Sequence, residues 1–256
     1  MLIFTVGDVV SEGGVRILDK TLRPFKKLKN VDFTIVNGEN TAGMGITSEQ
    51  AERIYNAGAD VITLGNHAFS KREMLSYVED GRYILRPENL THFNPGRGSG
   101  MFTAENGRRV AVLCLIGRVF MQNHAENPFF VADRSIKDFD NNIILVEIHG
   151  EATSEKAALA WYLDGRVSVV YGTHTHVQTA DDRVLPKGTG FITDLGMTGP
   201  VNSILGMEPQ SSVDRLLGYP QVNYKSAKGS CMLQGALFEV DDSTGRCISV
   251  ERITLQ

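Results

Sequence analysis

The feature that most constrains the fold is a repeated unit: a short unbroken apolar run, a polar cluster at its end, then a stretch with helical character. Runs at residues 2–6, 33–36 and 61–64 open the chain, and runs at 110–116, 143–148 and 167–171 resume the pattern. Continuous apolar strands separated by helices indicate an α/β sheet covered on both faces. Helices are expected at 14–29, from 48 to a stop near Gly58, and at 154–163. The second opens on Thr47-Ser48-Glu49-Gln50, a capping box whose hydroxyl and amide satisfy each other's orphan backbone donors.

Toward the C-terminus the texture changes. Runs at 188–193, 232–240 and 247–254 have short connections and predict antiparallel pairing. Two stretches, 87–107 and 196–228, are rich in Gly, Pro, Asn and Ser and suggest no element; such loops are often site walls or subunit contacts, here of a homo-oligomer. Arg97-Gly98-Ser99-Gly100 lacks the preceding strand and following helix of a phosphate loop and reads as a flexible turn.

A chain of 256 residues suits a single domain spanning 1–256. Its net charge of −4 argues against broad binding of nucleic acid or anionic membrane. The basic run 23–29, with Phe25 and Leu28 interleaved, reads as the solvated face of a helix. Cys114, Cys231 and Cys247 are scattered and form no Cys-x-x-Cys, so neither a zinc ribbon nor a disulfide framework is expected. Cys114 lies within an apolar run and behaves as a small buried hydrophobe. No apolar run approaches the roughly 18 residues of a membrane span, and no leader is evident. The expectation is a soluble, cytoplasmic protein.

Five strand-like runs end in metal-capable residues: Asp8, Glu39-Asn40, Asn66-His67, His149 and His174-Thr175-His176. Alone, each would pass for a turn or a structural histidine. In α/β sheets, however, the carboxyl ends of parallel strands converge on one crevice. Imidazole and carboxylate ligands without thiolate suit Mn, Fe, Zn, Co or Ni. Asp8, Glu39, Asn66, His149, His174 and His176 are too many for one four-coordinate ion and enough for two that share a bridge, for which Glu39 is the candidate. His174 and His176, two apart, project to one side if the chain is extended.

Charge then points to the substrate. Two divalent ions against two carboxylates leave a positive centre suited to phosphate. Such a pair, about 3.5–4 Å apart, lowers the pKa of a bridging water and stabilises in-line displacement. His67 is spare in the ligand count. It is placed either to protonate the leaving group as general acid or to orient a ligand. Arg118, Asn123 and His124, on a loop after a strand, are open to substrate contact or to a structural role.

The chain resembles the calcineurin-like metallophosphoesterases, and within them the YmdB-like bacterial phosphodiesterases. The resemblance is carried by Gly7-Asp8-Val9, Asn37-Gly38-Glu39-Asn40-Thr41-Ala42-Gly43, Thr63-Leu64-Gly65-Asn66-His67 and His149-Gly150-Glu151-Ala152-Thr153-Ser154-Glu155-Lys156. Gly172-Thr173-His174-Thr175-His176-Val177-Gln178-Thr179-Ala180-Asp181 and Asp194-Leu195-Gly196-Met197-Thr198-Gly199-Pro200 complete it. It implies a four-layer α/β/β/α sandwich and two metal ions, commonly iron or manganese, with other divalent metals possible. One ion would be bound by Asp8, Glu39, Asn40 and His176, the other by Glu39, Asn66, His149 and His174, with His67 as proton donor. It also implies a small phosphodiester substrate such as 2′,3′-cyclic AMP, and a link to RNA turnover.

Three positions depart from the broader superfamily. Asp8-Val9-Val10 lacks the usual histidine, Glu39 replaces an aspartate, and Ala68 replaces an acidic residue. These fit the subfamily but weaken any transfer of substrate preference. A nucleotidase-like phosphomonoesterase and a metal-binding regulatory protein remain the alternatives. An amidohydrolase is disfavoured because its His-x-His belongs to a first strand, whereas His174-Thr175-His176 comes late.

Overall fold

The computed structural model describes residues 1–140, 143–220, 223 and 225–256. In chain order it begins β1 (Leu2–Val6), β2 (Asp8–Val9), α1 (Ser11–Lys29), β3 (Phe33–Asn37), α2 (Ser48–Ala57), β4 (Val61–Thr63), α3 (Met74–Asp80) and β5 (Ile84–Leu85). Then come β6 (Ser99–Thr103), β7 (Arg109–Ile116), α4 (Pro128–Ser135), β8 (Ile144–His149), α5 (Thr153–Leu163) and β9 (Val169–Thr173). The last part is β10 (Arg183–Val184), β11 (Gly190–Ile192), β12 (Met197–Pro200), α6 (Pro209–Leu216), β13 (Cys231–Val240) and β14 (Cys247–Leu255).

The strands form two sheets. The first runs β2-β12-β13-β1-β3-β4-β5 with β14 on β13, and the second runs β10-β11-β9-β8-β7-β6. Strands β1, β3, β4 and β5 are mutually parallel, as are β7, β8, β9 and β11. Three apolar clusters fill the spaces between layers. Leu18, Leu22 and Ile54 of α1 and α2 pack on Phe4 and Val36 of the first sheet. Phe33 and Ile35 meet Val112, Leu145 and Tyr171 between the sheets. Val146 and Ile148 face Leu159 and Leu163 of α5. This is a four-layer α/β/β/α sandwich, and continuous apolar strands are what burial on both faces requires.

The capping box forms, with Thr47 accepting from the Gln50 amide, and α2 stops at Gly58 in the left-handed conformation. Cys114 is fully buried between the sheets. The antiparallel C-terminal pairing holds for β13 and β14 and for β11 with β10, while the other edge of β11 pairs parallel to β9.

Other expectations are corrected. Ser99-Gly100 belongs to β6, antiparallel to β7, rather than to a flexible turn. Within the basic run, Lys26 is buried, its ammonium 3.1 Å from Asp60 and 3.3 Å from Glu105, while Leu28 is exposed. That face is therefore not uniformly solvated. The 196–228 stretch contains β12 and α6; residues 221, 222 and 224 within it lie outside the described residues. No described helix is long and apolar enough to cross a membrane.

Candidate metal centre

The carboxyl ends of both sets of parallel strands meet in one cleft, as the topology demands. Asp8 opens β2, Glu39 and Asn40 follow β3, and Asn66 and His67 follow β4. His149 ends β8, while His174 and His176 lie just past β9. All eight residues join one contact network. Gly65 makes the meeting possible, because a Cβ there would overlap the His149 ring.

On the side of His149, three donor groups converge. Glu39, His149 and His174 each offer a ligand atom, all within 4.8 Å of one another. The His149 Nε2 lies 2.8 Å from Glu39 Oε1, 2.9 Å from Asn66 Oδ1 and 3.0 Å from His174 Nδ1. Its other nitrogen faces the Thr173 hydroxyl at 2.9 Å. That hydroxyl has one proton, which it donates to Glu147 Oε1 at 2.7 Å, so it accepts from His149 Nδ1–H. Nε2 is thereby directed into the cluster. Burial alone would make His149 a weaker base, but the Glu39 carboxylate outweighs it and lifts the pKa to about 9. His174 goes the other way, to about 4, through burial and the His149 charge. Its Nε2 lies 3.1 Å from Glu151, which leaves Nδ1 to face inward.

Glu39 supplies the test of fit. Its Oε1 is fully buried and lies 2.8 Å from His149 Nε2. Its Oε2 accepts the His67 backbone N–H at 3.0 Å. A buried carboxylate oxygen needs compensating positive charge, supplied either by the His149 imidazolium or by a bound cation that takes the place of its Nε2 proton. Surrounded by an amide oxygen and two imidazole nitrogens, this oxygen fits a borderline divalent cation.

The side of Asp8 is looser. Asp8 Oδ1 accepts from Asn40 Nδ2 at 3.3 Å and lies 3.6 Å from His176 Nε2, while Oδ2 accepts the His174 backbone N–H at 3.1 Å. Burial would raise the Asp8 pKa, but the His176 contact and charge hold the carboxyl well below its usual range. His176 Nδ1 donates to the Leu205 carbonyl at 3.1 Å, aiming Nε2 at Asp8. The Asn40 amide presents its nitrogen, and a half-turn would offer its oxygen to an ion. His174 and His176 do reach different donor groups, though not from extended chain. Both have left-handed backbones, with φ of 98° and 62°.

Several supports were not singled out from the sequence. The buried Lys156 ammonium is 2.7 Å from Asp194 and donates to the Thr173 carbonyl, and Asp194 accepts the Thr175 N–H. This pair holds the strained histidine loop. Glu147, fully buried, accepts from Asn37, Thr173 and Tyr171. An acid inside the apolar run 143–148 was a visible signal for it; the Leu205 carbonyl left none. His67 sits at the mouth, its Nε2 3.1 Å from the Asn66 amide nitrogen and its Nδ1 3.5 Å from the Ser70 hydroxyl.

Known proteins resemble the whole chain. A Bacillus subtilis (strain 168) protein named 2′,3′-cyclic-nucleotide 2′-phosphodiesterase is 41% identical over 100% of this chain and 97% of its own length. A Mycoplasma pneumoniae protein named putative phosphatase/phosphodiesterase is 36% identical, covering 98% and 91%. Among solved structures, a hypothetical protein from Thermus thermophilus superposes with a TM-score of 0.93 at 35% identity, covering 100% of this chain and 99% of that one. A structure described as a novel phosphatase of Mycoplasma pneumoniae gives 0.93 at 34% identity, covering 100% and 93%. The model of the family described as YmdB-like protein matches residues 4–253, and the chain belongs to that family.

Proposed function

We propose that this chain is a dinuclear metal-dependent phosphodiesterase that opens small cyclic nucleotides such as 2′,3′-cyclic AMP. Family membership, with relatives named for phosphodiesterase and phosphatase activity, supports a phosphoric diester hydrolase. The observation that carries the metal reading is the convergence of buried Glu39 with His149 and His174, whose ligand atoms lie within 4.8 Å of one another. Glu39, Asn66, His149 and His174 would hold one ion, and Asp8, Asn40 and His176 the other, with Glu39 as the bridge. Iron or manganese suits this set. When bound, such ions neutralise phosphate oxygens and activate water.

The protein's own groups do the rest. Asp8, Glu39 and His149 form a floor closed to solvent, while Asn66, His67, His174 and His176 form the half-buried rim at which substrate arrives. Asn66 links the floor to His67 by turning its oxygen to His149 and its nitrogen to His67. His67 then protonates the departing alkoxide. The free thiols of Cys114, Cys231 and Cys247 suit a reducing, cytoplasmic setting.

Elemental analysis of the purified protein, run beside a panel of cyclic nucleotides, tests the reading directly. Turnover of bis-p-nitrophenyl phosphate should exceed that of p-nitrophenyl phosphate. The reverse preference would favour a phosphomonoesterase, which the relatives named as phosphatases make the second reading. His67→Ala should lower turnover by about 10²–10⁴-fold with metal content unchanged; undiminished turnover would refute the acid role.

A further inference from the structure

Larger surface cavities, of about 630 and 660 Å³, lie along α1 to α3 and do not touch the centre. A smaller one, of about 420 Å³, opens directly on Asn66. Its other walls include Phe69, Leu90, Asn94, Asn123 and His124. That volume falls within the usual range for small-molecule sites, which combine apolar walls with a few placed polar groups.

Asn123 and His124 of these walls belong to the loop 117–125, which is anchored at several points. Buried Asn89 clamps both of its ends: its amide nitrogen donates to the Ile116 and Glu126 carbonyls at 2.7 and 2.9 Å, and its oxygen accepts the Ile116 N–H at 2.8 Å. The Glu155 carboxylate accepts the backbone N–H groups of Arg118 at 3.0 Å and Val119 at 3.1 Å. Between these anchors Phe120 has a left-handed φ of 62° with its ring in solvent. Packing of its own side chain does not explain that conformation, and such strain clusters at ligand sites. A bridge between Leu90 and Ala125 ties the loop to the opposite wall.

Asn94 and Asn123 are half-buried, and their side-chain amides make no hydrogen bond within the protein among the described residues. Each amide has both donors and an acceptor. Paired in this way, an asparagine matches the donor–acceptor edge of adenine.

We infer that this cavity is the nucleoside subsite of the enzyme, with Asn94 and Asn123 reading the base and Phe69 and Leu90 giving it an apolar seat. The inference rests on the phosphodiesterase reading and adds the part of the substrate beyond the phosphate. It follows from adjacency: Asn66 belongs at once to the centre and to the cavity wall, so a nucleoside esterified to phosphate at the centre extends into this space.

The test compares kcat/KM for 2′,3′-cyclic AMP with that for methyl riboside 2′,3′-cyclic phosphate, which lacks the base. Wild type should prefer the nucleotide by about tenfold or more, the scale of one good base contact. In Asn94→Ala/Asn123→Ala the ratio should fall to within about twofold of unity, mainly through KM. Asn123→Asp keeps the size, removes the donor and should lower the ratio partway, which guards against misfolding of the double variant. A wild-type ratio near one, or a ratio unchanged in folded variants, overturns the subsite. If wild type hydrolyses neither compound, the phosphodiesterase reading falls. Calorimetric binding of adenosine 3′-monophosphate against inorganic phosphate then decides the subsite by the same ratio.

Discussion

At the cleft, the first sheet delivers oxygens and amides, from Asp8, Glu39, Asn40 and Asn66, whereas the second delivers the imidazoles of His149, His174 and His176. The two sets are restrained differently. Each imidazole has its outer nitrogen tied to a dedicated group: Thr173, Glu151 or the Leu205 carbonyl. The carboxylates are instead steadied by backbone N–H groups of His67 and His174. The difference teaches that the first sheet sets the charge of the centre while the second sets the direction of its lone pairs. Tethering of this kind is what fixes tautomer and ring orientation in metal sites.

The strongest way to break this division is at the point where the sheets touch. In Gly65→Ala the added methyl would occupy the space of the His149 ring. Displacement of about 1 Å at a reacting centre costs on the order of 10²-fold. We expect at least that loss in kcat/KM, together with loss of metal by elemental analysis. Normal values for both would show that His149 tolerates movement and that the sheets are not mutually constrained.

Next in size is the buried pair behind the histidine loop. Lys156→Met leaves Asp194 charged and without its cation in a site closed to solvent. Removing one member of such a pair costs about 3–5 kcal/mol, measurable by urea denaturation. Lys156→Met/Asp194→Leu should recover part of that stability but not activity, because the Thr175 and Gly196 N–H groups lose their acceptor. Recovery of both would show that the pair stabilises the fold without aiming His174 or His176.

How far the sequence could be read follows the same division. Asp8, Glu39 and Asn66 end apolar runs, so parallel topology alone predicted their convergence. That the sheet is covered on both faces was equally legible, because such strands must be continuously apolar, whereas the four-layer arrangement was implied by the family resemblance. What could not be read was orientation. The left-handed backbone at His174 and His176 is held by Asp8, Asp194 and Leu205, partners from distant parts of the chain. Lys26 looked solvated because Asp60 and Glu105, which neutralise it, come from other elements. Strand β6 escaped notice because glycine and serine carry little strand signal, and its pairing with β7 supplies the register.

The comparison is sharpened within the second sheet, where the tethers differ in burial. Thr173→Val keeps the shape and removes the acceptor of His149 Nδ1–H, freeing the ring to take the wrong tautomer. Loss of such a partner weakens metal affinity by about 10–100-fold, measurable by competition with a chelator.

Glu151→Gln should have the smallest effect. Its oxygen still accepts from His174 Nε2, only the charge is lost, and Glu151 is 51% exposed, where water and salt screen that charge. Exposed ion pairs contribute little, so metal affinity should fall by about two- to threefold, and less in high salt. If Glu151→Gln instead matched Thr173→Val and was insensitive to salt, charge would govern the second sheet as well as the first. The distinction between a sheet that sets charge and one that sets direction would then fail at its weakest tether.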